Sequence, residues 1–198
     1  MPINLDDVPS HSVHASPPDP FGGPYTDDGY PTEKESVAAL LDILANLGSF
    51  HVRTEVTGQY LASRVGSEHK HPRVDVFLDP THWLLSQGWN LGTIAVECKR
   101  SRVKIGRAFA QAADYGLAAF QVCHRHIVPN WVVLWPLRPF GGWEASVVAQ
   151  QKLGCMSSDG AGGLYIAAGQ AALAHINGSG HLKLGRDASI IGNKRGSR

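Results

Sequence analysis

Residues 73–78, RVDVFL, and residues 93–99, TIAVECK, decide the fold because apolar side chains alternate with polar ones in both segments. Successive side chains of a β-strand point to opposite faces of the sheet, so Glu97 and Lys99 share a face. If the two strands pair as a hairpin, Asp75 lies on that face too. The segments therefore predict neighbouring strands that gather two carboxylates and one ammonium group on a polar face, opposite the core.

Two helices and two more strands are predicted around this pair. Thr32 and Glu35 form a capping box ahead of apolar residues at helical spacing, which predicts a helix that ends near Gly48. The remaining core elements are a half-buried strand over residues 50–56, a second helix over residues 105–120 and a buried strand over residues 130–137. The chain is therefore predicted to be an α/β protein with a mixed central sheet flanked by helices.

The composition divides the chain into three parts. Residues 1–31 are rich in Pro and Asp and are predicted to form a flexible acidic arm. Residues 32–140 form the predicted core. Residues 141–198 are predicted to be a Gly-rich extension of the same domain, with two strands, a small Ala-rich helix over residues 167–176 and a basic tail.

Length and charge limit the classes of protein to which this chain can belong. With 198 residues, 43 % of them hydrophobic and 18 % charged, the chain fits one globular domain rather than a fibrous or disordered protein. It has no apolar run of about 20 residues and no basic, apolar leader, so we expect a cytoplasmic protein without a membrane partner. Outside the acidic arm, 18 basic residues face 12 acidic ones, which is compatible with a polyanionic partner.

The three charged residues of the sheet suit phosphodiester hydrolysis. Paired carboxylates such as Asp75 and Glu97 hold divalent cations, which polarise a phosphate and lower the pKa of an attacking water. The ammonium group of Lys99 offsets the charge that grows on the phosphate. The alternative is an ordinary cross-strand ion pair on a solvated sheet face.

Together with the following helix, these residues resemble the PD-(D/E)XK nuclease superfamily. Asp75 matches the first acidic position, although Val74 stands where the name-giving motif has proline. Residues 97–99, ECK, match the (D/E)XK element. Gln111 and Tyr115 match the QxxxY motif of the RecB-like and lambda-exonuclease-like branches.

The resemblance covers residues 32–137 and implies a restriction-endonuclease-like core of order α-β-β-β-α-β. It implies a Mg²⁺- or Mn²⁺-dependent DNA nuclease of recombination, repair or restriction, with Asp75 and Glu97 as metal ligands and Lys99 as the catalytic cation. Similarity to the archaeal-type Holliday junction resolvases also implies a homodimer. The alternative is an inert nuclease-fold module that binds nucleic acid or a protein partner without cutting.

Many members of this superfamily place an extra acid on the first helix, and helical phase favours Glu33 for that role. At 100° per residue, Glu33 lies about 40° from the apolar position Val37, whereas Glu35 lies about 160° away. Glu33 is therefore predicted as an auxiliary metal ligand, and Glu35 as a capping residue. Glu55 on the first strand remains an alternative.

A run of cations near the second helix is the predicted nucleic-acid interface. Five basic residues occur within nine positions that contain no acid: Lys99, Arg100, Arg102, Lys104 and Arg107. They predict sequence-independent, salt-sensitive affinity for DNA, although a solvated turn is the alternative. Gln111 and Tyr115 are predicted to contact nucleic acid or to buttress the site; alternatively, they form an i, i+4 pair that closes the helix against the sheet.

Overall fold

A ten-stranded mixed sheet forms the centre of the molecule. The structure, a computed structural model, describes residues 30–61, 71–101, 103–141 and 143–188. Within these ranges the helices are α1 (Glu33–Leu47), α2 (His82–Ser86), α3 (Ile105–Tyr115) and α4 (Trp143–Gln150). The strands are β1 (Phe50–Tyr60), β2 (Arg73–Pro80), β3 (Ile94–Cys98), β4 (Ala118–Val122), β5 (Arg125–Ile127), β6 (Trp131–Trp135), β7 (Leu153–Ser158), β8 (Leu164–Ala168), β9 (Ala171–Ile176) and β10 (Leu182–Leu184), and a 3-10 turn follows at Gly185–Ala188.

The strand order is β10-β9-β8-β7-β6-β3-β2-β1-β4-β5. The β3–β6 and β6–β7 pairs are parallel, and the other pairs are antiparallel. The prediction of a mixed α/β fold is therefore confirmed. Strands β7 to β10 extend the sheet that the predicted core begins. No helix in the described ranges is both long and apolar enough to span a membrane.

Helices cover the sheet on both faces. The core on the α1 side includes Leu40, Leu44, Val76, Val96 and Trp135. The core on the α3 side includes Ala112, Phe77, Phe120, Ala95 and Leu134. Since neighbouring residues of each central strand enter different cores, neither face of the sheet centre is left to solvent.

The start of α1 has the local structure that its sequence predicts. The Thr32 hydroxyl accepts the Glu35 backbone N–H at 3.1 Å, and the Glu35 carboxylate accepts the Thr32 N–H at 3.0 Å. The helix ends at Gly48, which has a left-handed φ of 58°. Just before the helix, the Tyr30 ring stacks on Trp135 with 6.5 Å between ring centroids. The rest of the predicted arm, residues 1–29, and the tail from residue 189 lie outside the described residues.

The second predicted helix is shorter than expected. It ends at Tyr115, and residues 118–122 form β4 instead of its last turn. Pairing with β1 explains the change, because Phe120 lies opposite Gly58. A side chain at Gly58 would meet the Ala119 carbonyl oxygen at 2.8 Å, so this glycine allows the close approach of the two strands.

The Ala-rich helix predicted at residues 167–176 is wrong. These residues form the end of β8 and all of β9, joined through Gly169 with a left-handed φ of 59°. Alanine favours helices locally, but pairing with neighbouring strands overrides that preference. The α-helix within residues 143–188 is instead α4, which was not expected from the sequence.

β1 contains a left-handed residue. Glu55 has a φ of 53°, a region that costs a non-glycine residue about 1–2 kcal/mol, yet the ladder with β2 keeps one register over residues 50–57. The simple alternation predicted for this strand breaks here: Val52 packs against the core on the α1 side, and Val56 belongs to the core on the α3 side.

Candidate active site

Two carboxylates meet at the end of the β2–β3 pair. The strands are antiparallel with Val76 opposite Val96, and this register continued by one residue sets Asp75 opposite Glu97. The Asp75 Oδ2 atom accepts the backbone N–H of Cys98 at 2.7 Å. The Asp75 side chain is thereby fixed against β3 by a backbone group rather than by a mobile side chain.

Lys99 connects the Glu97 carboxylate to α3. Its Nζ donates to Glu97 Oε1 and, at 3.0 Å, to Gln111 Oε1. The Gln111 amide in turn donates to the Tyr115 hydroxyl at 2.7 Å. The Lys99 backbone N–H donates to the carbonyl oxygen of Trp135 at 2.7 Å, which holds this residue beside β6. The result is a continuous polar chain from sheet to helix.

The polar face expected around Glu97 and Lys99 is in fact buried. Glu97 is 3 % exposed and Lys99 is 6 % exposed. Residues of α3 lie over this part of the sheet, and Tyr115 is 5 % exposed. The Glu97–Lys99 pair is therefore not the solvated cross-strand ion pair of the alternative, since it joins two residues of one segment and is almost inaccessible to solvent.

An open cleft of about 640 Å³ gives access to these groups. It is lined by residues from α1, from β2, from the end of β3 and from α3: Glu33, Arg73, Asp75, Glu97, Lys99, Arg100, Val103, Lys104, Arg107, Ala108, Gln111 and Tyr115. The structure thus brings almost all of the predicted site residues to one cleft. Arg102 lies outside the described residues.

The first helix contributes Glu33 rather than Glu35. Glu33 Oε1 lies 3.7 Å from Lys99 Nζ, and its side chain is 56 % exposed. Glu35 is engaged in the capping box with Thr32. The other candidate acid, Glu55, forms an ion pair with Arg73 at 2.9 Å.

Arg73 is a further cation of the cleft that was not among the predicted site residues. It lies two residues before Asp75 in β2, so strand alternation places it on the face of Asp75 but does not distinguish it from a solvated cation. The exposed cations Arg100, Lys104 and Arg107 come instead from the segment after β3.

Burial dominates the electrostatics of the two carboxylates. It raises the pKa of Glu97 to about 7, with the Asp75 charge adding to the rise and Lys99 opposing it. Burial likewise raises the pKa of Asp75, although the Cys98 amide and Lys99 lower it. Burial also raises the pKa of the Tyr115 hydroxyl. The site thus holds two acids whose charged forms lack full stabilisation.

The donor set suits a small divalent cation. Glu97 Oε2 is buried without a hydrogen-bond partner in the structure, and an added cation beside it and Asp75 would lower both raised pKa values. Mg²⁺ needs only one or two carboxylates because it retains several waters. The described part of the chain has no group of three or more His, Cys, Asp or Glu side chains that could hold a metal, so waters would complete the coordination.

Comparisons of the chain with models of protein families, with curated proteins and with solved structures find no match. The function is therefore inferred from the chemistry of the residues that line the cleft.

Proposed function

We propose that this chain is a DNA nuclease of the PD-(D/E)XK type that depends on Mg²⁺ or Mn²⁺ and acts in recombination, repair or restriction. One observation carries the proposal: the polar chain from Glu97 through Lys99 and Gln111 to Tyr115, with Asp75 on the adjacent strand. The (D/E)XK and QxxxY residues thus belong to one hydrogen-bonded unit.

The order of the elements supports the same proposal. Helix α1, the antiparallel strands β1, β2 and β3, helix α3 and strand β6 occur in the order α-β-β-β-α-β that the resemblance implies. Helix α2 and the β4–β5 hairpin are additions to that order. Strand β6 pairs directly with β3, the strand that carries Glu97.

Asp75 and Glu97 are the residues that would hold the metal ion. When bound, Mg²⁺ or Mn²⁺ supplies a more acidic water and a Lewis acid for the phosphate oxygens. The Lys99 ammonium, oriented by Gln111, stabilises the negative charge that develops at the phosphate. Glu33 lies within reach of the same ammonium and serves as an auxiliary carboxylate.

The exposed cations of the cleft are the proposed DNA-binding groups. Arg100, Lys104 and Arg107 line the cleft beside the carboxylates. They would neutralise backbone phosphates without reading bases, which gives salt-sensitive affinity.

The test is a cleavage assay on circular plasmid, linear duplex, single strand and four-way junction with Mg²⁺ or Mn²⁺. Asp75→Asn, Glu97→Gln and Lys99→Met should each lower cleavage by at least about a hundredfold, because each removes a group that stabilises the transition state. With Ca²⁺, which positions the attacking water poorly, we expect a bound but uncut complex.

Asp42→Asn is the matched control, since Asp42 is an exposed carboxylate of α1 outside the cleft. Its cleavage rate should equal that of the wild type. Unfolding midpoints of all four variants separate lost chemistry from lost folding. A folded Asp75→Asn variant with full activity would contradict the nuclease proposal and favour an inert binding module.

A further inference from the structure

An ion pair between β1 and β2 joins a residue of the cleft lining to a residue outside it. The Arg73 Nε group of β2 lies 2.9 Å from Glu55 Oε2 of β1. Arg73 lines the same cleft as Asp75, which follows it by two residues in β2. Both partners are more than half exposed, with side-chain exposures of 67 % for Arg73 and 55 % for Glu55. Arg73 therefore lines the cleft that a substrate would enter, while Glu55 holds it from outside the cleft lining.

The backbone conformation of Glu55 is unusual for a residue within a β-strand. Its φ of 53° lies inside a strand that keeps the same register with β2 on both sides of Glu55, although the ladder has no pair at Glu55 itself. Strained residues of this type persist where the surrounding structure holds them, and they cluster at functional sites. The Glu55 charge also helps to raise the pKa of Asp75, so this residue belongs electrostatically to the site.

The contact leaves Arg73 able to hold an anion. A guanidinium has five N–H donors in a planar fork, and the contact with Glu55 engages its Nε. The Nη groups have the geometry for bidentate pairing with phosphate oxygens. Arg100, Lys104 and Arg107 come from the segment after β3, whereas Arg73 comes from β2. Arg73 therefore adds a cation from another wall of the cleft.

We propose that Arg73 binds a backbone phosphate of the DNA substrate, next to the phosphate that is attacked, and that Glu55 is a positioning residue that directs Arg73 into the cleft. This inference rests on the proposed function, because the substrate is taken to be DNA. Arg73 acts on binding and not on the bond that breaks. Its loss should therefore raise KM and leave kcat unchanged.

The test measures the affinity for a labelled DNA duplex in Ca²⁺ by fluorescence anisotropy over a series of salt concentrations. Arg73→Ala should weaken binding several-fold and make the negative slope of log K against log salt less steep by about 0.9, the value for one duplex phosphate. Arg125→Ala is the matched control, because Arg125 is an exposed cation of β5 outside the cleft. Its slope should equal that of the wild type.

The positioning role of Glu55 is tested in two backgrounds. Glu55→Gln keeps the shape of the side chain and removes the charge that holds Arg73. It should weaken binding in the wild-type chain and have no further effect in the Arg73→Ala chain. Equal weakening in both backgrounds, or tighter binding in the wild-type chain, would overturn the role of Glu55.

The outcomes for the two proposals differ. If wild-type protein cuts DNA and Arg73→Ala leaves the salt slope unchanged, Arg73 is not a phosphate ligand, and the nuclease function stands. If DNA binding depends on Arg73 but no cleavage occurs in Mg²⁺ or Mn²⁺, the nuclease function fails and the role of Arg73 stands. If the wild type binds no DNA, both are overturned.

Discussion

Glu97 is a carboxylate in a position where its charge is poorly stabilised. Its Oε1 atom accepts from Lys99, while its Oε2 atom is buried without a hydrogen-bond partner in the structure. Its pKa is raised to about 7 from an ordinary value of 4.5. Between those two values the folded chain binds a proton that the unfolded chain has lost. The free energy of unfolding therefore falls as the pH rises from about 4.5 to 7 and is level above that range.

Glu97→Gln should remove this pH dependence. The shift corresponds to about 3 kcal/mol between pH 4 and pH 8, so the variant should not show the fall in stability that the wild type shows over this range. Urea unfolding at a series of pH values measures the effect, with Asp42→Asn retaining the wild-type profile. An unchanged pH profile in Glu97→Gln would show that another group titrates in this range.

Saturating Mg²⁺ should also stabilise the wild type at pH 8, and chelation of the metal should reverse that gain in unfolding free energy.

At the scale of the element, the first turn of α1 separates two glutamates with different tasks. Glu33 lies 3.7 Å from Lys99 Nζ, and Glu35 closes the capping box. The proposed role of Glu33 as an auxiliary carboxylate predicts that Glu33→Gln raises the Mg²⁺ concentration required for half-maximal cleavage without a large change in stability. Glu35→Gln should leave that concentration unchanged and cost at most about 1 kcal/mol of stability. Metal titrations of the cleavage rate distinguish the two, and the reverse pattern would exclude Glu33 from the metal site.

The antiparallel pairing of β1 with β4 gives a second test at the scale of the element. A Cβ atom at Gly58 would lie 2.8 Å from the Ala119 carbonyl oxygen, whereas one at Gly116 would lie 3.4 Å from its nearest neighbour, the Ala113 oxygen. Gly58→Ala should destabilise the protein by about 1–3 kcal/mol through overpacking. Gly116→Ala should be neutral or slightly stabilising, because its backbone is helical. Equal unfolding midpoints in urea would mean that β1 and β4 can separate at little cost.

At the scale of the whole molecule, the structural features that depend only on neighbouring residues can be predicted from the sequence. The ends of α1 follow from the capping box and from Gly48, and the shared face of Glu97 and Lys99 follows from strand alternation. Both predictions need only neighbouring residues. The same alternation includes Arg73, but a cation beside an acid is common on solvated strands, so nothing local distinguishes it.

Features that depend on distant residues could not be predicted in this way. β4 replaces the end of a helix because β1, about sixty residues earlier, supplies its partner. β9 replaces an Ala-rich helix because β8 and β10 pair with it. The burial of Glu97 depends on the packing of α3 over the sheet, which no periodicity within β3 reveals.

The parallel pairing of β6 with β7 has a consequence for how the native state opens. Strands β7 to β10 are consecutive and antiparallel, and among the strand pairs formed by the described residues only β6–β7 connects them to the rest of the sheet. Such a meander can unzip as one cooperative unit, with a smaller opening free energy than global unfolding. Amide hydrogens of β8 and β9 should therefore exchange with deuterium sooner than those of β3 and β6, as mass spectrometry of peptides would measure. Simultaneous exchange in all four strands would show that the sheet opens as a single cooperative unit. Earlier exchange in β8 and β9 would show that the cleft remains folded while the neighbouring meander opens.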